Sequence, residues 1–89
     1  MKLLAIRVSG KVQGVFFRAS AKDQADRIGV KGFVRNEPSG GVYIEAEGEG
    51  DQLKLFLDWC AQGPSRARVE KILTEELPLK NFDAFVVSR

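Results

Sequence analysis

The chain predicts an α+β fold in which two helices pack on one face of a mostly antiparallel sheet, with an extra short strand at the C-terminal end. Three features of the 89-residue sequence carry that expectation. Apolar and polar residues alternate in several short stretches, as in half-buried strands. They recur at helical spacing in two longer stretches. Gly- and Pro-containing turns separate the two kinds of stretch.

Leu4, Ile6 and Val8 alternate with Ala5, Arg7 and Ser9, which predicts a first strand. A helix is expected over about residues 19–28, with Ala21, Ala25 and Ile28 on one stripe and Lys22, Asp23 and Asp26 toward water. Gly29 stands where helices commonly end in a left-handed residue. Residues 30–35 predict a second strand and 42–47 a third, joined by the hairpin loop Glu37-Pro38-Ser39-Gly40-Gly41. In the third strand Val42, Ile44 and Ala46 face one way, while Tyr43, Glu45 and Glu47 face the other. Glu45 and Glu47 are expected on a solvated face, which accounts for them better than a cation site does. A second helix is expected over 51–61, with a core stripe of Leu53, Phe56, Leu57 and Cys60, and Gly63-Pro64 stops it. Residues 69–74 predict a fourth strand, and 82–87 a short fifth after a turn at Pro78. Strand, helix, strand, strand, helix, strand is the order of a ferredoxin-like βαββαβ sandwich, expected here as a single domain over residues 1–89.

Composition narrows the chemistry. A net charge of +2 suits attraction of small anions but does not announce a nucleic-acid binder. There is no histidine, so histidine general bases, phosphohistidine chemistry and the common zinc sites are excluded. The single cysteine, Cys60, makes no internal disulfide, and a reducing, cytoplasmic compartment is expected. The N-terminal apolar run ends at Arg7, too short for a signal peptide, and no stretch is long enough to span a membrane.

Two segments carry the functional signal. Gly10-Lys11-Val12-Gln13-Gly14-Val15-Phe16-Phe17-Arg18 leaves a strand, passes through glycines and delivers an arginine where a helix begins. Glycine permits close backbone approach, the N–H groups entering a helix lack partners, and an arginine adds a cationic fork: together, an anion cradle. Gly32-Phe33-Val34-Arg35-Asn36 sets an arginine and an asparagine at the end of a strand. Lys11, Lys22, Lys31 and Arg35 are expected, with Arg18, mostly around the cradle.

Both segments resemble the signatures of the acylphosphatase family: the run from Gly10 to Arg18, then Gly32 to Asn36 followed by Gly40, Val42 and Gly48, in order and at the family's usual separation. The resemblance covers the whole chain. It implies the same ferredoxin-like fold, and hydrolysis of acyl phosphates to a carboxylate and phosphate. It also implies that the backbone of Gln13, Gly14, Val15, Phe16, Phe17 and Arg18 wraps the phosphate. The Arg18 guanidinium would pair with its oxygens and Asn36 would orient the attacking water. One of the rings Phe16 and Phe17 is expected in the core, the other at the cradle. No cofactor or metal is implied, and the expected partner is a small acyl phosphate, with no nucleic acid or membrane and a monomeric protein. An acyl phosphate suits a chain without histidine, because its carboxylate leaving group needs no general acid.

Other readings are weaker. Cys60-Ala61-Gln62-Gly63-Pro64-Ser65-Arg66 has the Cys-x-x-Gly-x-x-Arg spacing of cysteine-dependent tyrosine phosphatases. Cys60 however sits at the C-terminal end of a predicted helix, where the dipole disfavours a thiolate, and it continues an apolar stripe. RNA-recognition domains share the element order, but the third strand here carries one aromatic and two acids in place of their aromatic and basic signature. A regulatory or maturation domain that keeps the cradle within a larger system is the remaining alternative.

Overall fold

The elements follow one another in the predicted order: β1 (Lys2–Lys11), α1 (Phe17–Ile28), β2 (Lys31–Asn36), β3 (Val42–Gly48), α2 (Gly50–Gln62), β4 (Arg68–Leu77) and β5 (Phe85–Val87). The structure is a computed structural model and describes residues 1–88. The strands form one sheet in the order β4-β1-β3-β2-β5, antiparallel throughout except for the β2–β5 pair. Among the described residues no helix is long and apolar enough to cross a membrane.

The register follows the hydrophobic pattern. Ile6 lies opposite Ile44 and Val8 opposite Val42, so their side chains share one face with Val34. That face packs against Ala21 and Ala25 of α1 and Leu53, Phe56 and Cys60 of α2, all buried. Gly32 is required where β2 meets β3: with φ at 146°, an added Cβ would lie 1.8 Å from the Glu45 carbonyl oxygen.

Three elements depart from expectation. α1 begins at Phe17 rather than near 19, because Phe17 continues the buried stripe of Ala21 and Ala25 at four-residue spacing. β4 runs on to Leu77, since the long β1 offers partners as far as Leu3 opposite Leu77. β5 is confined to Phe85–Val87.

The residues just before β5 explain a larger correction. Glu45 and Glu47 do not face solvent: they are only 5% and 1% exposed. Alternation puts them on the sheet face opposite the helices, as predicted, but the β4–β5 connection crosses that face and covers them. Glu47 accepts hydrogen bonds from the backbone N–H groups of Lys80 (2.7 Å), Asn81 (3.1 Å) and Phe82 (2.8 Å). Glu45 accepts from Lys80 Nζ (2.8 Å) and from the Tyr43 hydroxyl (2.6 Å). Burial pushes the Glu47 carboxyl upward, but the three backbone donors outweigh it and hold the group below the usual carboxylate range. Glu45 is likewise held low, burial being overcome by the Lys80 ammonium and the Tyr43 hydroxyl. Tyr43 is correspondingly pushed up to about 12, by burial and then by its bond to Glu45.

Candidate active site

The segment between β1 and α1 is anchored from below and open above. Val12 and Val15 are buried in the core, which pins the loop on either side of Gly14. Gly14 takes a left-handed conformation with φ at 73°, with open space around its α-carbon. Phe16 is also left-handed, at φ 65° and ψ 24°, which for a bulky residue costs on the order of 1–3 kcal/mol. Successive left-handed turns of this kind aim backbone N–H groups into a common concavity.

Among the described residues, α1 then starts with its donors uncommitted. Its first backbone bond runs from Ser20 N–H to the Phe16 carbonyl (3.0 Å), so the N–H groups of Phe17, Arg18 and Ala19 precede the intrahelical ladder. Phe16, in the cap position, offers no side-chain hydrogen bond, and the first turn carries no acidic residue. The positive end of the helix dipole is therefore left for an external anion.

Arg18 and Asn36 reach this place from different elements. Arg18, half-buried in the first turn of α1, donates from Nη1 to the Ser88 carbonyl (3.2 Å). Ser88 N–H in turn donates to the Val34 carbonyl (2.8 Å), so the chain after β5 is tied to both α1 and β2. Asn36 is the last residue of β2 and is half-buried. A cleft of about 320 Å³ is lined by Gly14, Phe16, Phe17, Arg18 and Asn36, together with Val12, Ala19 and Val87.

The structure thus brings five of the predicted site residues to one cleft and directs two side chains elsewhere. Val15 is a core residue, 4% exposed. The Gln13 amide donates from Nε2 to the carbonyls of Glu37 and Gly41, at 2.8 Å each, and so fastens the loop to the β2–β3 hairpin. Phe17 packs in the core with its ring 5.2 Å from that of Trp59, whereas the Phe16 ring is 70% exposed. Among the predicted basic neighbours, only Arg18 lines the cleft. Lys22 binds Asp26 (2.8 Å) and the Phe85 carbonyl (3.1 Å). Arg35 stacks 4.7 Å from the centre of the Tyr43 ring on the far face of the sheet, and Lys31 starts β2 at the end opposite Asn36. Cys60 is fully buried among core residues, which pushes its thiol well above the ordinary range and away from nucleophilic chemistry.

Val87, Ala19 and Val12 escaped the sequence reading. Val12 sat inside the motif. Val87 carried no local signal, since it reaches the cleft only through the parallel pairing of β5 with β2.

The molecule is similar to known proteins along its whole length. The family profile described as Acylphosphatase matches residues 4–87. An acylphosphatase of Marinobacter nauticus is 54% identical over 71 residues, covering 80% of this chain and 77% of that protein. One from Pseudomonas paraeruginosa is 46% identical over 82 residues, covering 92% and 90%. The crystal structure of acylphosphatase from Bacillus subtilis superposes with a TM-score of 0.97 at 32% identity, over 100% of both chains.

Proposed function

Because the chain belongs to the acylphosphatase family, we propose that it hydrolyses the carboxyl–phosphate bond of acyl phosphates with Arg18 and Asn36 as its catalytic side chains. The backbone N–H groups of residues 13–18 and the Arg18 guanidinium hold the phosphate oxygens. The Asn36 amide orients a water for in-line attack on phosphorus. As the new P–O bond forms, the bond from phosphorus to the acyl oxygen breaks and its electron pair leaves on the carboxylate. The water's proton passes to a substrate oxygen, with no phosphoenzyme and no metal. Phosphoryl transfer of this type needs positioning and charge neutralisation more than covalent help.

The observation that carries this reading is the convergence of Arg18, Asn36 and an uncapped helix N-terminus on one cleft. An anion held at the start of α1 would gain the dipole, the left-handed loop and the guanidinium together.

The test is hydrolysis of benzoyl phosphate in excess EDTA by the unmodified protein, Asn36→Ala and Arg18→Ala. Removing one preorganised donor costs roughly 100- to 1,000-fold in kcat. Asn36→Ala is expected to lose rate on that scale with KM little changed, and Arg18→Ala to lose both substrate binding and rate. An Asn36→Ala variant as fast as the unmodified protein would remove asparagine from the mechanism. No turnover by a folded unmodified protein would leave the cleft as an anion-binding site only.

A further inference from the structure

Phosphate binding and water orientation account for Gly14, Arg18 and Asn36 but not for the apolar groups displayed beside them. Phe16 is 70% exposed and Val87 40% exposed, and both line the cleft. Packing does not explain the exposure of Phe16. Phe17 supplies the core contact to Trp59, and the Phe16 ring gains no comparable burial while its backbone stays left-handed, where glycine would fit without strain. An exposed phenyl ring held in a strained backbone beside a binding cleft is a costly arrangement unless a ligand covers it.

Geometry says which part of the ligand that is. In-line attack puts water and leaving group on opposite sides of phosphorus, so the acyl group leaves on the side of phosphorus away from the Asn36 amide, where it can meet the apolar part of the cleft wall. The cleft, of about 320 Å³, is lined by apolar residues as well as by those proposed to hold a phosphate and its attacking water. Beyond the polar donors its walls are the exposed Phe16, Val87 and Ala19 with the buried Val12 and Phe17, none of which offers a side-chain hydrogen bond. We infer that Phe16 and Val87 form an acyl-group subsite that selects substrates with an apolar, above all aromatic, acyl group over small polar ones such as carbamoyl phosphate. The inference rests on the cleft being the phosphate site, and it adds the determinant of substrate choice.

The experiment measures kcat/KM for benzoyl, acetyl and carbamoyl phosphate with the unmodified protein, Phe16→Gly, Phe16→Tyr and Val87→Ser. Intrinsic reactivity of the three substrates cancels when each variant's benzoyl-to-carbamoyl ratio is divided by that of the unmodified protein. Phe16→Gly keeps the left-handed backbone without strain and so is the variant best placed to stay folded. Its ratio is expected to fall about tenfold, chiefly through a higher KM for benzoyl phosphate, with acetyl phosphate intermediate. Val87→Ser should lower the ratio several-fold, and Phe16→Tyr should restore it. A ratio unchanged within twofold in Phe16→Gly, or an equal loss on all three substrates, would overturn the subsite. Absence of turnover on every substrate by the unmodified protein would instead overturn the hydrolase reading, and this inference with it.

Discussion

The Gln13 side chain is directed away from the cleft, yet its amide joins the two pieces that form it. Both Nε2 hydrogens are committed to carbonyls of the hairpin loop, so the loop between β1 and α1 and the strand bearing Asn36 keep a fixed relation. Truncation removes both of these bonds, while each carbonyl keeps a backbone donor, Gly40 N–H for Glu37 and Glu37 N–H for Gly41. Gln13→Ala is therefore expected to cost about 1–3 kcal/mol in urea unfolding. It should also lower kcat on benzoyl phosphate, because misplacing a reacting group by about 1 Å can cost 100-fold. Gln13→Glu should be worse still, since it sets a carboxylate against two carbonyl oxygens. A destabilised Gln13→Ala with unaltered kcat would show that other contacts hold Asn36 in place. The motif residues were legible in the sequence because their spacing is specific; the clamp was not, because a glutamine in a loop has no preferred partner until the hairpin arrives. The division between Phe16 and Phe17 was legible in part. Phe17, Ala21 and Ala25 make one four-residue-spaced stripe, and extending the helix back by that rule selects Phe17 as the core ring.

At the level of elements, the β4–β5 connection depends on Glu47. One carboxylate receives three backbone N–H groups from residues 80–82, and Phe82 meets Phe33 with ring centres 6.0 Å apart. The group's folded pKa is depressed below its ordinary value of 4.5. Its contribution is thus present in full above that value and is lost as pH falls through the lower folded value. Glu47→Gln should reduce stability at pH 7 by about 1.5–3 kcal/mol, the range for hydrogen bonds to a charged group. The gap between the two proteins should close as pH drops below the ordinary value, measured as urea midpoints from neutral to acid pH. The neighbours that face Glu47 and Glu45 are Lys80, Tyr43, Arg35 and, across the β2–β3 pairing, Lys31. A constant gap down to acid pH would mean that the carboxylate charge is not what holds the connection. Strand alternation predicted which face Glu47 takes. It carried no information on what covers that face, because the covering segment is irregular and lies more than thirty residues away.

For the whole molecule, the element order was readable because each element has its own period and its own stop. The sheet order was not, since it is decided by pairings between distant segments. Those pairings also set an order in time. Among the described residues only β2 and β3 pair as sequence neighbours, whereas β1 must find β3 and β4, and β2 must find β5. Loop-closure entropy delays such distant pairings, and refolding is expected over roughly milliseconds to seconds. The hairpin that ends in Asn36 forms first, and the contact of Arg18 with Ser88 beside β5 is among the last. Trp59, the one tryptophan, is on α2 and packs against Phe17 of α1, so it reports helix docking. In stopped-flow refolding its fluorescence should settle before or together with the return of hydrolysis. Hydrolysis that returned ahead of Trp59 would reverse that sequence. A chain arrested midway would hold Asn36, the residue proposed to orient the water, on a finished hairpin while the cleft beside it was still unbuilt.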